Sequence, residues 1–185
     1  MLRVIGGRLK RRRLYTAKGQ HIRPTADRIR EALFNILADQ IQGANVLELF
    51  AGTGALSIEA LSRGAAKSLM IDKSARSVAV IQRNIQVCAL EDRATVIKMD
   101  VRQNLRRVLT TFQPFNLILM DPPYHQGLIK PAFLNVHKSG KLEKNALLVL
   151  EHEREEIQPT EIYGFKCRDQ RKYGKTLVSF FRYML

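Results

Sequence analysis

At 185 residues and 21.1 kDa the chain has room for one domain and a short appendage, because a core of this size buries most of its apolar surface without splitting. Its hydrophobic content of 45% marks a folded protein, and no apolar run approaches the ~20 residues of a membrane helix. The formal charge of +14 favours a phosphate-bearing partner over an acidic or lipid-embedded role.

The chain opens Met1-Leu2-Arg3-Val4-Ile5-Gly6-Gly7 and runs straight into basic residues, without the apolar stretch and cleavage site of a secretory signal. The expectation is a cytoplasmic protein. Residues 1–23 read as a small basic β-hairpin arm, with Leu2-Arg3-Val4-Ile5 as one strand and Gly6-Gly7 as a turn before an arginine-rich return. Residues 1–30 carry ten basic groups and a single acid, Asp27, and so hold +9 of the +14. Arg3, Arg8, Lys10, Arg11, Arg12 and Arg13 are the candidate contacts to the phosphate-bearing partner, since arginine suits both phosphates and base stacking. A second basic cluster lies at Lys166, Arg168, Arg171, Lys172 and Lys175.

Residues 24–185 form the expected main domain. Pro24-Thr25 opens a helix with Thr25 as N-cap, and Ile29, Leu33, Ile36, Leu37 and Ile41 recur at helical spacing until Gly43. From Asn45 strands and helices alternate, the signature of a parallel sheet with crossover helices. Strands are predicted at 46–49, 68–71, 95–98, 116–120 and 146–150, and helices near 55–63, 74–89, 101–110 and 127–138, the first of these stopping at Gly64. Two strand-like runs at 161–168 and 176–183 then suggest a closing hairpin. The predicted class is α/β: a Rossmann-like, seven-stranded, mostly parallel sheet with an antiparallel C-terminal pair and its ligand site at the C-terminal strand ends. Cys88 and Cys167 lack zinc-ligand spacing and read as small hydrophobes.

The first strand runs into Phe50-Ala51-Gly52-Thr53-Gly54. Gly52 and Gly54 supply positive φ and a close backbone approach for a ligand. Asp72 ends the second strand, where a carboxylate can accept from ribose hydroxyls. Asp100 ends the third, placed to accept from an adenine amine while Met99 or Val101 covers the ring. A nicotinamide dinucleotide would use a G-x-G-x-x-G turn against its pyrophosphate. Phe50 stands where the first of those glycines belongs, so an adenosyl ligand without phosphates fits better.

The fourth strand ends in Asp121-Pro122-Pro123-Tyr124. Consecutive prolines remove two N–H donors and stiffen the backbone, so the Asp121 side chain and the Pro122 carbonyl become two fixed acceptors. Such a pair can take both hydrogens of a planar exocyclic amine and turn its lone pair toward a methyl donor, while Tyr124 stacks on the base. The same tetrapeptide could also serve as an ordinary strand-ending turn. His125 is the only histidine placed to act as a base, and a loop role ranks above that. The acids Glu151, Glu153, Glu155 and Glu156 read as a solvated strand end, and Tyr173-Gly174 either borders the target base or shapes the last turn.

These segments resemble the bacterial methyltransferases that modify guanine N2 in 16S ribosomal RNA. The resemblance runs from end to end and rests on Arg23-Pro24-Thr25-Ala26-Asp27-Arg28 with Glu31-Ala32-Leu33-Phe34-Asn35, Leu49 to Leu56, Glu59 to Ala65, Asp72-Lys73, Asp121 to Tyr124 and Tyr173-Gly174. It implies a class I methyltransferase fold with an N-terminal hairpin, S-adenosylmethionine as cofactor, and action as a monomer on RNA in an assembled or assembling 30S particle, away from membranes. It also implies cofactor contacts from Glu48, Phe50, Lys73, Arg23 and Thr25 beside Gly52, Gly54, Asp72, Asp100 and Val101. Glu48 departs from the aspartate common in that family at this position. Two other readings remain: a DNA adenine or cytosine amino-methyltransferase, and a non-catalytic RNA-binding assembly factor that kept the fold.

Overall fold

Near-continuous apolar runs such as Phe115 to Met120 are what a parallel strand buried on both faces requires, and they set the architecture. The computed structural model describes residues 2–16, 24–156 and 160–185, without the side chains of 24–26. Helices α1 (Pro24–Ile36) and α2 (Ala38–Ile41) precede β1 (Asn45–Leu49). The alternating body follows as α3 (Ala55–Ser62), β2 (Lys67–Asp72), α4 (Ala75–Val87), β3 (Ala94–Lys98), α5 (Arg106–Leu109), β4 (Phe115–Met120), α6 (Ile129–Lys138) and β5 (Leu142–Glu153). The chain closes with β6 (Glu161–Ile162), β7 (Phe165–Tyr173) and β8 (Thr176–Tyr183).

The strands form one sheet in the order β3-β2-β1-β4-β5-β8-β7-β6. The first five are parallel, and β8 inserts antiparallel between β5 and β7. Strand order reverses between β1 and β4, so their C-terminal ends diverge and leave the crevice in which open α/β sheets bind ligands. Alternation along the strands divides the core in two. Leu49, Ile71, Met120 and Leu150 pack on the α6 side, whereas Val46, Met70, Leu119 and Val149 pack with α1. Among the described residues no helix is long and apolar enough to cross a membrane.

Five details differ from the sequence expectations. The sheet has eight strands, not seven, because Tyr163 and Gly164 turn the chain at positive φ and divide the run 161–168 into β6 and β7. The first predicted helix is interrupted at Leu37. It begins at Pro24, which puts Thr25 inside the first turn; proline's fixed φ and missing N–H suit the first helical position. Only 106–109 of the predicted helix 101–110 is helical, since Asn104 and Asp100 draw nearby backbone N–H groups into turns. Cys88 is buried as expected, but Cys167 is only partly so.

The N-terminal arm is a hairpin joined by a single antiparallel bridge, Arg3 with Arg13, rather than by a regular ladder. The predicted strand 2–5 is shortened because the Ile5 N–H turns to α3 while that of Val4 still donates to the Arg12 carbonyl. Glu59, 1% exposed, accepts from the Ile5 and Gly6 N–H groups and from Arg63 Nε, each at 2.7 Å. The Ser62 hydroxyl donates to the Gly6 carbonyl and accepts from Leu9 N–H, while the Ser62 carbonyl accepts from Arg8 N–H. At Gly7, with φ +71, a Cβ would lie 2.0 Å from that carbonyl, so only glycine fits. Leu2, Val4 and Leu14 are buried beneath. Glu59→Ala should strip acceptors from two amides and a guanidinium, at ~1–3 kcal/mol for each donor left unpaired. Thermal unfolding should therefore shift down by at least ~5 °C for a chain of this size, and an unchanged melting curve would show that Glu59 does not hold the arm.

Candidate active site

Two adjoining cavities open at the diverging strand ends. The first, of about 470 Å³, is lined by Asp72, Lys73, Ser77, Met99, Asp100, Val101, Leu128 and the whole of Asp121 to Tyr124. The second, of about 380 Å³, reaches under α1 to Arg30, Leu33, Glu48, Thr53 and Leu56. Phe50, Gly52, Asp121 and Glu151 line both and mark where they meet.

The glycine loop is held from two sides. Asp72 accepts from Gly52 N–H through one oxygen and from Ser74 N–H through the other, both at 2.8 Å, which leaves each oxygen a further lone pair toward the cavity. Asn84, fully buried in α4, donates to the Thr53 carbonyl and also pairs with both the N–H and the carbonyl of Tyr15 in the arm. One amide therefore ties arm and loop together. Phe50 has φ +60, a conformation unfavourable for a side chain of this size and typical of strain kept at functional turns. Gly52 lines the cavities, but Gly54 does not; a Cβ there would lie 2.8 Å from Met70 Sδ, so Gly54 serves packing and its φ of +72.

The carboxylates have distinct surroundings. Asp100 pairs with Arg102 at 2.6 Å, and that hydrogen bonding holds its carboxyl down at about 2. Glu48 accepts from Ser57 N–H at 2.9 Å, capping α3 from within the protein. Burial pushes it up to about 7, opposed by the Ser57 hydrogen bonds. Asp121 borders the open cavity and is accessible from it, with protein packed closely behind. That packing raises its affinity for a proton, and Glu151 and then Glu48 raise it further. Glu151, predicted to be solvated, instead faces the site, and burial raises it also. Tyr124 is pushed up to about 12, chiefly by burial and then by Glu151, with Thr176 on β8 opposing the shift; its hydroxyl donates to Glu151 over a long 3.4 Å.

Glu48 carries a pH signature. Its carboxyl holds a proton up to about 7 in the folded chain but only to about 4.5 when unfolded. The folded state thus binds more protons between these values, and stability must fall as pH rises through the window, by about 3 kcal/mol in all. Glu48→Gln should remove that slope: its stability relative to wild type should increase from about pH 4.5 to about 7 in denaturant titrations. A difference independent of pH would contradict the assignment.

The remaining candidates fall into three groups. Lys73 and Val101 line the first cavity. Arg23 and the Thr25 side chain lie outside the described residues. Arg3, Arg8, Lys10, Arg11, Arg12 and Arg13 are all exposed on the arm, and the last four line a groove of about 670 Å³ with Tyr15 and Val87. The Arg83 guanidinium lies 3.5 Å from the Tyr15 ring centre beside it. His125 lies outside both cavities, with Nε2 on Glu153 at 2.8 Å, in keeping with a loop role. Arg30 was not expected from its sequence position. It is 7% exposed, donates to the Arg3 carbonyl and Asp27, and its Nε is the buried side-chain polar atom without a partner among the described residues.

The strand order, the acidic strand tips and the Asp-Pro-Pro-Tyr loop define a Rossmann-like protein of the class I methyltransferase type. The sequence profile of the family described as Conserved hypothetical protein 95 matches residues 2–182, and the chain belongs to that family. Ribosomal RNA small subunit methyltransferase D of Escherichia coli K12 is 35% identical over 94% of this chain and 86% of its own. YlbH of Bacillus subtilis is 31% identical over 98% of both chains. The solved structure of yhhF from Escherichia coli superposes with a TM-score of 0.81 at 30% identity, covering 99% of this chain and 98% of that one.

Proposed function

We infer that the protein transfers a methyl group from S-adenosylmethionine to the N2 amine of a guanine in 16S ribosomal RNA, within a 30S particle or its precursor. The observation that carries this is the placement of Asp121 where two acid-walled cavities meet, in a chain whose surface is strongly basic. Carboxylates from Glu48, Asp72, Asp100, Asp121 and Glu151 suit a cationic cofactor and disfavour a pyrophosphate. Arg30, which lines the second cavity, suits the one anionic group such a cofactor carries, its amino-acid carboxylate. The names of the relatives point to small-subunit ribosomal RNA as the substrate.

The residues present fit that cofactor. Asp72 would hold the ribose, Asp100 and Val101 the adenine, and Glu48 with Arg30 the amino-acid end. When bound, it supplies an electrophilic methyl group on sulfonium. Asp121 and the Pro122 carbonyl accept the two amine hydrogens and turn the nitrogen lone pair away from the ring, so that the amine is oriented before it reacts. Tyr124, kept protonated and anchored through its hydroxyl, offers a fixed ring for the base to stack on after it leaves its own stack. The exposed arm arginines engage the phosphates around it.

Tritium transfer from labelled S-adenosylmethionine should mark small-subunit RNA and yield N2-methylguanosine after digestion. Label recovered instead in DNA adenine or cytosine would favour the DNA enzyme, and absence of cofactor binding by calorimetry would favour the assembly factor.

A further inference from the structure

The acids at the end of β5 include one that the sequence pattern hides. In the parallel register Met120 pairs with Leu150, so Asp121 and Glu151 follow one another across adjacent strands at the point where the crevice opens. Both side chains line both cavities, and Tyr124 hydroxyl reaches Glu151 from the intervening loop. We propose that Asp121 and Glu151 form a proton-sharing carboxyl pair, and that Glu151 takes the proton the target amine must lose after methylation.

The second half of this proposal rests on the methyl-transfer reading above. In that step the amine lone pair forms the new N–C bond, and the electron pair of the broken S–C bond stays on sulfur. The nitrogen is left positively charged with a proton to release. With the shared proton held on one Asp121 oxygen while the other orients the amine, Glu151 is the ionised member of the pair and is the group able to receive the proton and pass it to solvent in the open cavity. Two carboxyl groups on adjacent strand ends, walling the same cavities, resist ionising together. Burial raises the proton affinity of both, and for Asp121 the charge of Glu151 and then of Glu48 raises it further. The other charged and titratable groups around the pair are Glu48 from β1, Arg30 from α1, Asp72, Lys73 and Asp100 across the first cavity, and Tyr124 from the loop, with Glu153 two residues along the strand. Arg30 and Lys73 are outnumbered by these acids, so one proton on the pair offsets part of the local negative charge.

Glu151→Gln tests both halves. Carbon-detected NMR of the cofactor-free protein, labelled at side-chain carboxyls, should show Asp121 and Glu151 titrating in two well-separated steps in wild type. In the variant the Asp121 step should move toward the ordinary carboxylate range, because its like-charged neighbour is gone; Glu151→Asp should keep the two-step pattern. Single-turnover methyl transfer should fall by ~10²-fold in Glu151→Gln, with partial recovery in Glu151→Asp and with cofactor affinity within a few-fold of wild type. An Asp121 titration unchanged by Glu151→Gln would overturn the pair, and an unchanged transfer rate would overturn Glu151 as proton acceptor. Coupled titrations in a wild-type protein that transfers no methyl group would support the pair while overturning the methylation reading, and with it the acceptor role.

Discussion

Asp121→Ala is expected to lower methyl transfer by at least ~10²–10³-fold while S-adenosylhomocysteine binding stays within a few-fold of wild type. The size follows from removing one preorganised group of an orienting pair inside a site where solvent cannot replace it in the right geometry. Cofactor affinity should survive because the contacts proposed for the nucleoside come from Asp72, Asp100 and Val101, on other strands. Loss of the Asp121 carboxyl also relieves repulsion on Glu151 and Glu48, so the variant should be no less stable than wild type. Single-turnover rates with saturating cofactor, paired with calorimetric binding, separate these effects. A variant retaining wild-type rate would remove Asp121 from the chemistry, and one that lost cofactor binding in parallel would make it a cofactor residue.

The second large effect belongs to the arm. Replacing Lys10, Arg11, Arg12 and Arg13 together by alanine should weaken RNA binding by ~10²-fold at physiological salt and reduce the dependence of log K on log salt by about 3, each phosphate contact contributing roughly 0.7–0.9 to that slope. These four side chains are exposed and line one groove, so the fold should tolerate the change. The anchoring of the arm depends on backbone groups meeting Glu59, Ser62 and Asn84, none of which the substitutions touch. Fluorescence anisotropy over a salt series measures both quantities. An unaltered salt slope would place the RNA elsewhere, the exposed basic residues of β7 being the next surface to examine.

The parallel sheet was legible in the sequence because its strands are buried on both faces and therefore read as short apolar runs between glycines and helical periods. The strand tips were legible for a related reason: a polar residue directly after such a run, as at Asp72, Asp100 and Asp121, stands out against the strand before it. Glu151 follows the same rule after Ala146 to Leu150, but the acids at 153, 155 and 156 disguise it as part of a solvated stretch. Glu59, Asn84 and Arg30 were hidden more deeply. Each is a polar residue on a helix whose partners lie in the arm or under it, 27 to 69 positions away in the chain, and no local pattern reports such a pairing. Gly54 shows the converse limit. Glycine after a strand suggests ligand approach, yet here it answers to Met70 and to a left-handed turn. The closing hairpin was visible as two extended runs, but the Tyr163-Gly164 turn that adds an eighth strand depends on positive φ at a tyrosine, which composition does not announce.

The coupling of arm and cofactor loop through Asn84 follows from the same packing. A residue that pairs with Tyr15 on one side and Thr53 on the other holds the basic arm in fixed relation to the glycine loop. This accounts for how a hairpin too small to fold alone can present its arginines at a defined place on the domain.

The most direct test of the central claim is to map methylated nucleotides in small-subunit ribosomal RNA from cells with the gene, without it, and carrying Asp121→Ala in its place. The account predicts that one N2-methylguanosine present in the first is missing from the second and the third, and that it returns when the wild-type chain is restored. Small-subunit RNA with an unchanged set of methylated guanines in all three would contradict it.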